Sequence, residues 1–392
     1  MTGAKAPHIF LVAGEESGDR LGGALIAALK RATDGQVRLS GVGGSHMAAE
    51  GVSSLFPLGD LAIIGFAAIA MSLPKILRRI SETADAVIAA KPEVLVIIDS
   101  PEFTHRVARK VRAHAPEIEI VDYVCPSVWA WRPGRAKAMR AYVDRVLALL
   151  PFEPAAMQRL NGPQTDFVGH PLGERVAELR PSTPEEAQRR LSDPPLLLVL
   201  PGSRSGEIRR MAPVFGETVA RVAQSAGSLE VVVPSVERLS GALREAVAGW
   251  NVPDSTIRIV TDANEKHAAF RTARAALTKS GTSTLELALA GVPMVAAYKV
   301  SLMEEVVARL MVSAQSAILA NLVLGENTVP EYLQWDCTVA NLAGALLPLI
   351  GDTPERRRQT EAFARLDRIM DIGGSIPSER AATLILHGRS GI

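Results

Sequence analysis

Cysteine is nearly missing from this chain of 392 residues: Cys125 and Cys337 are two, and far apart, so neither a disulfide scaffold nor a cysteine-ligated metal cluster is available. That usage suits a reducing compartment. An excess of one charge is missing too, with 43 Lys and Arg against 42 Asp and Glu, and no net field points to nucleic acid. No apolar run is long enough to span a bilayer: Leu61–Ile80 (LAIIGFAAIAMSLPKILRRI) stays apolar for about 11 residues of the ~20 required, and Pro74 follows. The first apolar run, Ile9–Ala13, is strand-sized and lacks a small-residue cleavage pattern, which argues against a secretion signal. Several motifs are absent as well. GVGGSHM (Gly41–Met47) lacks the third glycine of a dinucleotide fingerprint, and no Walker-type loop occurs. GSRSG (Gly202–Gly206) has arginine where a nucleophile elbow has serine. No D-x-D pair could hold a divalent ion, so neither metal nor cofactor is expected.

What is present is alternation. Strand-like runs such as HIFLVAG, VRLSGVGG, EVLVIIDSP, EIVDYV and RVLALLPF are separated by helix-like stretches, which predicts parallel α/β architecture. Leu21, Leu25 and Leu29 mark one face of the first helix, with Ser17 as its expected N-cap and Asp19 placed for its dipole. A proline-rich, charged stretch, Leu179–Pro195, reads as a linker with one short helix. The pattern then restarts with LLLVLPGSRSGE, LEVVVPS, IRIVTD, AALTKSGTSTLE and VPMVAAYKV. The fold expected is α/β, two doubly wound Rossmann-like domains facing a cleft, with ligands beyond the carboxyl ends of the strands.

Three glycine loops carry the candidate chemistry. FLVAGEESGDRLGG breaks at Gly14, and Glu15, Glu16 and Asp19 crowd its turn, which would repel a diphosphate. LVLPGSRSGEIRRM has the same layout, but Gly202, Ser203 and Arg204 offer amides, a helix N-terminus and a guanidinium fork, a diphosphate site. Spacing alone leaves an ordinary strand-to-helix turn open. In TKSGTSTLELALAGVP, Ser280, Gly281, Thr282 and Ser283 supply small donors at another helix start. Glu286 in its first turn either binds a ribose diol or complements the helix dipole.

Whole blocks, in order over roughly residues 8 to 340, resemble the lipid-A-disaccharide synthase family of GT-B-type glycosyltransferases: LVAGEESGDRLGG, KPEVLVIIDSPEF, YVCPSVWAWRPGR, LALLPFEP, FVGHPL, LPGSRSGEI and KSGTSTLELALAGVPMVAAYK. PSVWAWR and LPFE together are specific, whereas a single glycine loop is not. The resemblance implies an inverting transfer from UDP-2,3-diacylglucosamine to 2,3-diacylglucosamine 1-phosphate (lipid X), giving a β-1,6-linked disaccharide and UDP. It implies an acceptor domain over 1–180, a UDP-sugar domain over 181–355, and a helical tail over 356–392 that in such folds often crosses back onto the first domain.

It also assigns roles. Asp99, ending a buried strand, resembles the family's catalytic aspartate and is the expected base; Glu16 and Asp19 are the next catalytic candidates. Gly14, Ser17, Trp129 and Trp131 are expected at the acceptor side; alternation would turn both tryptophans to one side with Arg132 opposite, and core packing of the rings stays open. Asn321 matches a family asparagine, although Ile318-Leu319-Ala320 replaces the usual Ser-Leu-Pro before it. Periodicity favours a core helix for Leu61–Leu77, whereas the resemblance makes Ile64, Phe66, Ile69 and Leu73, beside Lys75, Arg78 and Arg79, an apolar patch for the inner face of the cytoplasmic membrane. Rival readings are a lipid II-forming transferase, a UDP-GlcNAc 2-epimerase, or a sugar-nucleotide- or lipid-binding module without turnover.

Overall fold

The computed structural model describes residues 6–61, 66–300, 316 and 318–388; within 62–72 no side chain is described. Two compact units divide it: Met1–Pro171 with Gly374–Ile392, and Leu172–Gly373. Against the boundaries read from the sequence at 180 and 355, the chain passes into the second unit at 172 and leaves it after 373. Side-chain bonds account for both shifts. Arg180 donates to the Leu289 carbonyl and the Asp367 carboxylate, and Gln359 bonds both the N–H and the carbonyl of Met294.

In the first unit, strands β1 (His8–Ala13), β2 (Arg38–Val42), β3 (Val94–Ile98), β4 (Glu119–Tyr123), β5 (Arg145–Ala148) and β6 (Gln164–Phe167) form one parallel sheet of order β2-β1-β3-β4-β5-β6. Buried β1 and β3 are apolar on both faces, as strands covered by helices on both sides must be. The labelled helices of this unit are α1 (Glu16–Ala32), α2 (Ser45–Ala49), α3 (Phe66–Ala90), α4 (Pro101–His114), α5 (Gly134–Met139) and α6 (Glu153–Arg159). Leu25, Ile26 and Leu29 of α1 are fully buried, together with Ala381, Ala382 and Ile385 of the helix Pro377–His387. That late helix completes the first unit's core, and Arg31 pairs with Glu379 at 3.1 Å beside it.

The second unit repeats the design. Strands β7 (Leu196–Leu200), β8 (Glu230–Pro234), β9 (Thr256–Val260), β10 (Ala275–Lys279), β11 (Met294–Tyr298) and β12 (Glu331–Leu333) run parallel in the order β12-β11-β10-β7-β8-β9. Helices α7 (Ser205–Ala226), α8 (Ala263–Thr272) and α9 (Ser283–Leu289) follow β7, β9 and β10. In each sheet the direction of winding reverses once, between β1 and β3 and between β7 and β10. Such reversals leave a crevice at the carboxyl ends where ligands bind.

The helix expected over Leu61–Leu77 is described from Phe66 and runs on to Ala90 as α3, past the end of the apolar stretch. Ile64 lies outside the described residues, as do the side chains of Phe66 and Ile69. Leu73 and Leu77 are 45% and 47% exposed. Among the described residues no helix is long and apolar enough to cross a membrane.

Candidate active site

At the crevice of the first sheet the loops after β1 and β3 meet. A Cβ on Gly14 would run into the Cβ and Oγ of Ser100, so only glycine lets the two loops close. Asp99 and Ser100 both have left-handed backbone, φ 54° and 47°, a conformation non-glycine residues rarely hold outside sites that need it. The Asp99 N–H donates to the Tyr123 carbonyl and its own carbonyl accepts from Thr104 Oγ1. These bonds turn the carboxylate out of the sheet end. Oδ1 accepts from the Ser100 N–H, and Oδ2 lies 3.1 Å from Ser17 Oγ, which also reaches Glu15 Oε1 at 2.8 Å.

The acids of the first loop part company here. Asp19, 1% exposed, accepts from the N–H groups of Gly44, His46 and Met47. Its carboxylate is a cap for α2 rather than a group at the loop surface. Glu16 is 83% exposed, 3.8 Å from Arg20. The N-cap of α1 is Glu15, not Ser17, which instead faces Asp99.

Asp99 opens on a cavity of about 260 Å³ walled by Glu102, His105, Asp122, Cys125, Trp131 and Arg135. Asp122 pairs in register with Ile97 of β3, and its side chain lines the same cavity as Asp99. Its carboxylate meets His105 Nε2 at 3.1 Å, and His105 Nδ1 lies 3.1 Å from the Tyr142 hydroxyl. Burial pushes the Asp122 carboxyl up against the pull of His105, and the Asp99 charge pushes the same way. Sequence reasoning missed His105 and Asp122. The one signal was a lone aspartate inside the apolar strand EIVDYV.

The PSVWAWR segment is a turn, not an extended strand, which corrects the expected alternation. The Arg132 guanidinium lies over the Trp131 ring at 4.4 Å instead of opposite it. Trp129 packs edge-on against Phe152, centroids 4.9 Å apart, and its Nε1 donates to Glu153 Oε1 at 3.2 Å.

The second sheet's crevice holds the other cluster. Gly202, Ser203, Arg204, Ser280, Gly281, Thr282 and Ser283 line one cavity of about 330 Å³, as do Lys266 and Lys279, which the sequence reading did not single out. Gly202 has φ 144° and Gly281 φ 151°, backbone that suits glycine. Behind them buried Glu207 accepts from the Ser203 N–H at 2.9 Å and pairs with Arg204 and Lys279, each at 3.2 Å. Burial raises the Glu207 carboxyl, but the Ser203 N–H, Lys279 and Arg204 outweigh it and hold the group below the usual range. Arg204 is still largely exposed, so the part of its fork that Glu207 does not hold can meet an anion.

Two expected residues stand apart from this lining. Glu286 sits in α9, 3.7 Å from Lys266 Nζ. Asn321 is buried in the helix Leu319–Leu324, where its amide accepts from Thr328 and Val329 and donates to the Val329 carbonyl; it staples a loop.

A family model described as lipid-A-disaccharide synthetase matches residues 9–381. The lipid-A-disaccharide synthase of Nitrobacter hamburgensis is 59% identical over 380 residues, covering 97% of this chain and 95% of that protein. That of Rhodopseudomonas palustris strain CGA009 is 54% identical over 385 residues, 98% and 97% of the two chains. Among solved structures, MurG of Acinetobacter baumannii aligns with TM-score 0.59 at 14% identity over 97% and 99% of the chains. S. aureus MnaA with UDP gives 0.64 at 14% identity over 98% of each. At such identities these two establish the fold, that of GT-B enzymes, and nothing more. The chain belongs to the lipid-A-disaccharide synthase family, hexosyltransferases of lipid A biosynthesis.

Proposed function

We propose that this hexosyltransferase joins UDP-2,3-diacylglucosamine to 2,3-diacylglucosamine 1-phosphate, with the acceptor at the first unit and the nucleotide at the second. The observation that carries the reading is the contrast between the two crevices: three acids, Asp99, Glu102 and Asp122, against one arginine, Arg135, line the first, whereas Arg204, Lys266 and Lys279 line the other with no acid among its described residues. In this reading Asp99 takes the proton of the acceptor 6-hydroxyl, and the oxygen attacks the donor's anomeric carbon from the face opposite the diphosphate. The bond from that carbon to the diphosphate oxygen breaks, its electron pair leaves with UDP, and the configuration inverts. Arg204, the two lysines and the amides around Gly202 and Gly281 meet the charge on the leaving group, so turnover should survive a chelator.

Ser17 orients the base, and Asp19 keeps the loop in place from below. Glu16 faces the solvent side of the loop, and Glu286 serves the ribose through the Lys266 side of the nucleotide cavity. Asn321 acts by fixing its loop. Gly14, Trp129 and Trp131 shape the acceptor side.

The deciding experiment is incubation with both diacylated sugars and mass detection of the disaccharide and UDP. Asp99→Asn should lower turnover about 10²–10⁴-fold with UDP affinity retained. Arg204→Ala should weaken UDP binding itself. Full turnover by Asp99→Asn would sink the assignment of the base.

For the membrane, exposed Leu73 and Leu77 lie in α3 beside Lys75 and Arg78, an apolar face edged by cations that suits an anionic inner leaflet. Leu73→Ser with Leu77→Ser should reduce flotation with phosphatidylglycerol vesicles. Unchanged flotation of the folded variant removes this face from the reading.

A further inference from the structure

The LPFE motif places an acid, Glu153, where no step of the transfer uses it. It opens α6, is 3% exposed, and accepts on both oxygens: Oε2 from the Leu150 N–H at 2.9 Å and Oε1 from the Trp129 indole N–H at 3.2 Å. A carboxylate buried this deeply is costly, and glutamine at the same position would be cheaper to bury. Glutamine, however, cannot accept two hydrogen bonds on two separate atoms, because its NH₂ only donates. The acid is therefore suited to a double acceptor that ties the loop after β5 to the turn after β4. That turn carries Pro126, Ser127, Val128 and Trp131 into the wall of the Asp99 cavity, while Trp129 stands behind it.

We propose that Glu153 is a positioning residue for the acceptor side: through Trp129 it holds the turn that presents Trp131 to the cavity beside Asp99. The proposal rests on the acceptor being bound at the first unit. It predicts a pH dependence, because the two bonds need an ionised acid. A proton on either oxygen would have no acceptor there, since both neighbours are donors. Burial raises Glu153 to about 7, while the N–H groups of Leu150, Trp129 and Leu149 pull it down. From the end of β4, Asp122 and Cys125 face the same region; the Cys125 thiol is pushed up by burial and by the charges of Glu153 and Asp122.

Intrinsic fluorescence of the full chain tests the anchor without substrate. Wild type should show an emission change with a midpoint near pH 7, and Glu153→Gln and Trp129→Phe should each abolish it. Steady-state kinetics then test the role. At pH 8 Glu153→Gln should raise the acceptor KM about tenfold, the loss of one good buried hydrogen bond, with donor KM unchanged and kcat within about threefold. Acceptor KM in wild type should fall between pH 6 and pH 8, and in the glutamine variant it should not. Trp129→Phe should reproduce the KM effect and decides the matter if the glutamine variant does not fold. A transition that persists in Glu153→Gln, or an unchanged acceptor KM in a folded variant, overturns the proposal. Failure of the base assignment shows separately, as an active Asp99→Asn variant whose fluorescence titration is intact.

Discussion

Asp19 and Asp99 are both aspartates at strand–helix junctions, yet burial gives them opposite work. Asp19 answers three backbone N–H groups from Gly44–Met47, so Asp19→Ala leaves those donors without an acceptor. Thermal or urea unfolding should register a loss of about 1–3 kcal/mol or more. Asp99 keeps a carboxylate edge at the cavity, and Asp99→Asn should change stability by about 0.5 kcal/mol or less while lowering turnover by the orders of magnitude given above. Nothing in GEESGD separates the acid that points inward from those that point outward, because the partners of Asp19 are 25 or more residues away. Glu153 adds a pH effect whose sign is definite. Its folded value, about 7, lies above the ordinary 4.5, so between these the folded chain holds a proton that the unfolded chain has released. Stability from this group is therefore present below pH 4.5 and falls as pH rises through 7. Unfolding measured from pH 5 to 8 should show that slope in wild type and a shallower one in Glu153→Gln.

At the scale of elements, the strand–loop–helix units were legible because β1, β3 and β7 are apolar runs, and β10 starts as one, each followed within three residues by glycine or serine. The strands not read from the sequence were β6, whose QTDF is partly polar and lies at a sheet edge, and β12, three residues long. Neither buries enough apolar surface to show in a periodic pattern. The turn at Pro126–Trp131 misled for another reason: its Trp129 is held by Phe152 and Glu153, at the start of α6 beyond the next strand. The proposed diphosphate cradle is an element whose shape depends on backbone. At Gly202 a Cβ would meet the Glu207 side chain at 2.5 Å, on top of a φ that L-residues avoid. Gly202→Ala should weaken UDP binding by about tenfold or more in calorimetry, a distortion of order 1–3 kcal/mol, with the acceptor side untouched.

Across the whole molecule, the helix Pro377–His387 covers the apolar face of α1, so a core built mostly from the first 171 residues is closed by a segment beyond 373. Removing 374–392 should lower the melting temperature of the first unit and leave UDP affinity, which the proposal assigns to the second, unchanged. Hydrogen exchange resolved by peptide would show faster exchange in α1 and β1 but not in β7 or β10. The resemblance alone implied that the tail crosses back onto the first domain; polarity and helical character say nothing of which face a late helix seeks.

One consequence concerns synthesis on the ribosome. The sheet that emerges earliest must wait for its lid while some 200 further residues are made, which at about 5–20 residues per second is roughly 10–40 seconds. The later-starting unit is contiguous and can mature first. During that interval the part of α1 that the helix Pro377–His387 later covers stays open, a natural foothold for a nascent-chain chaperone.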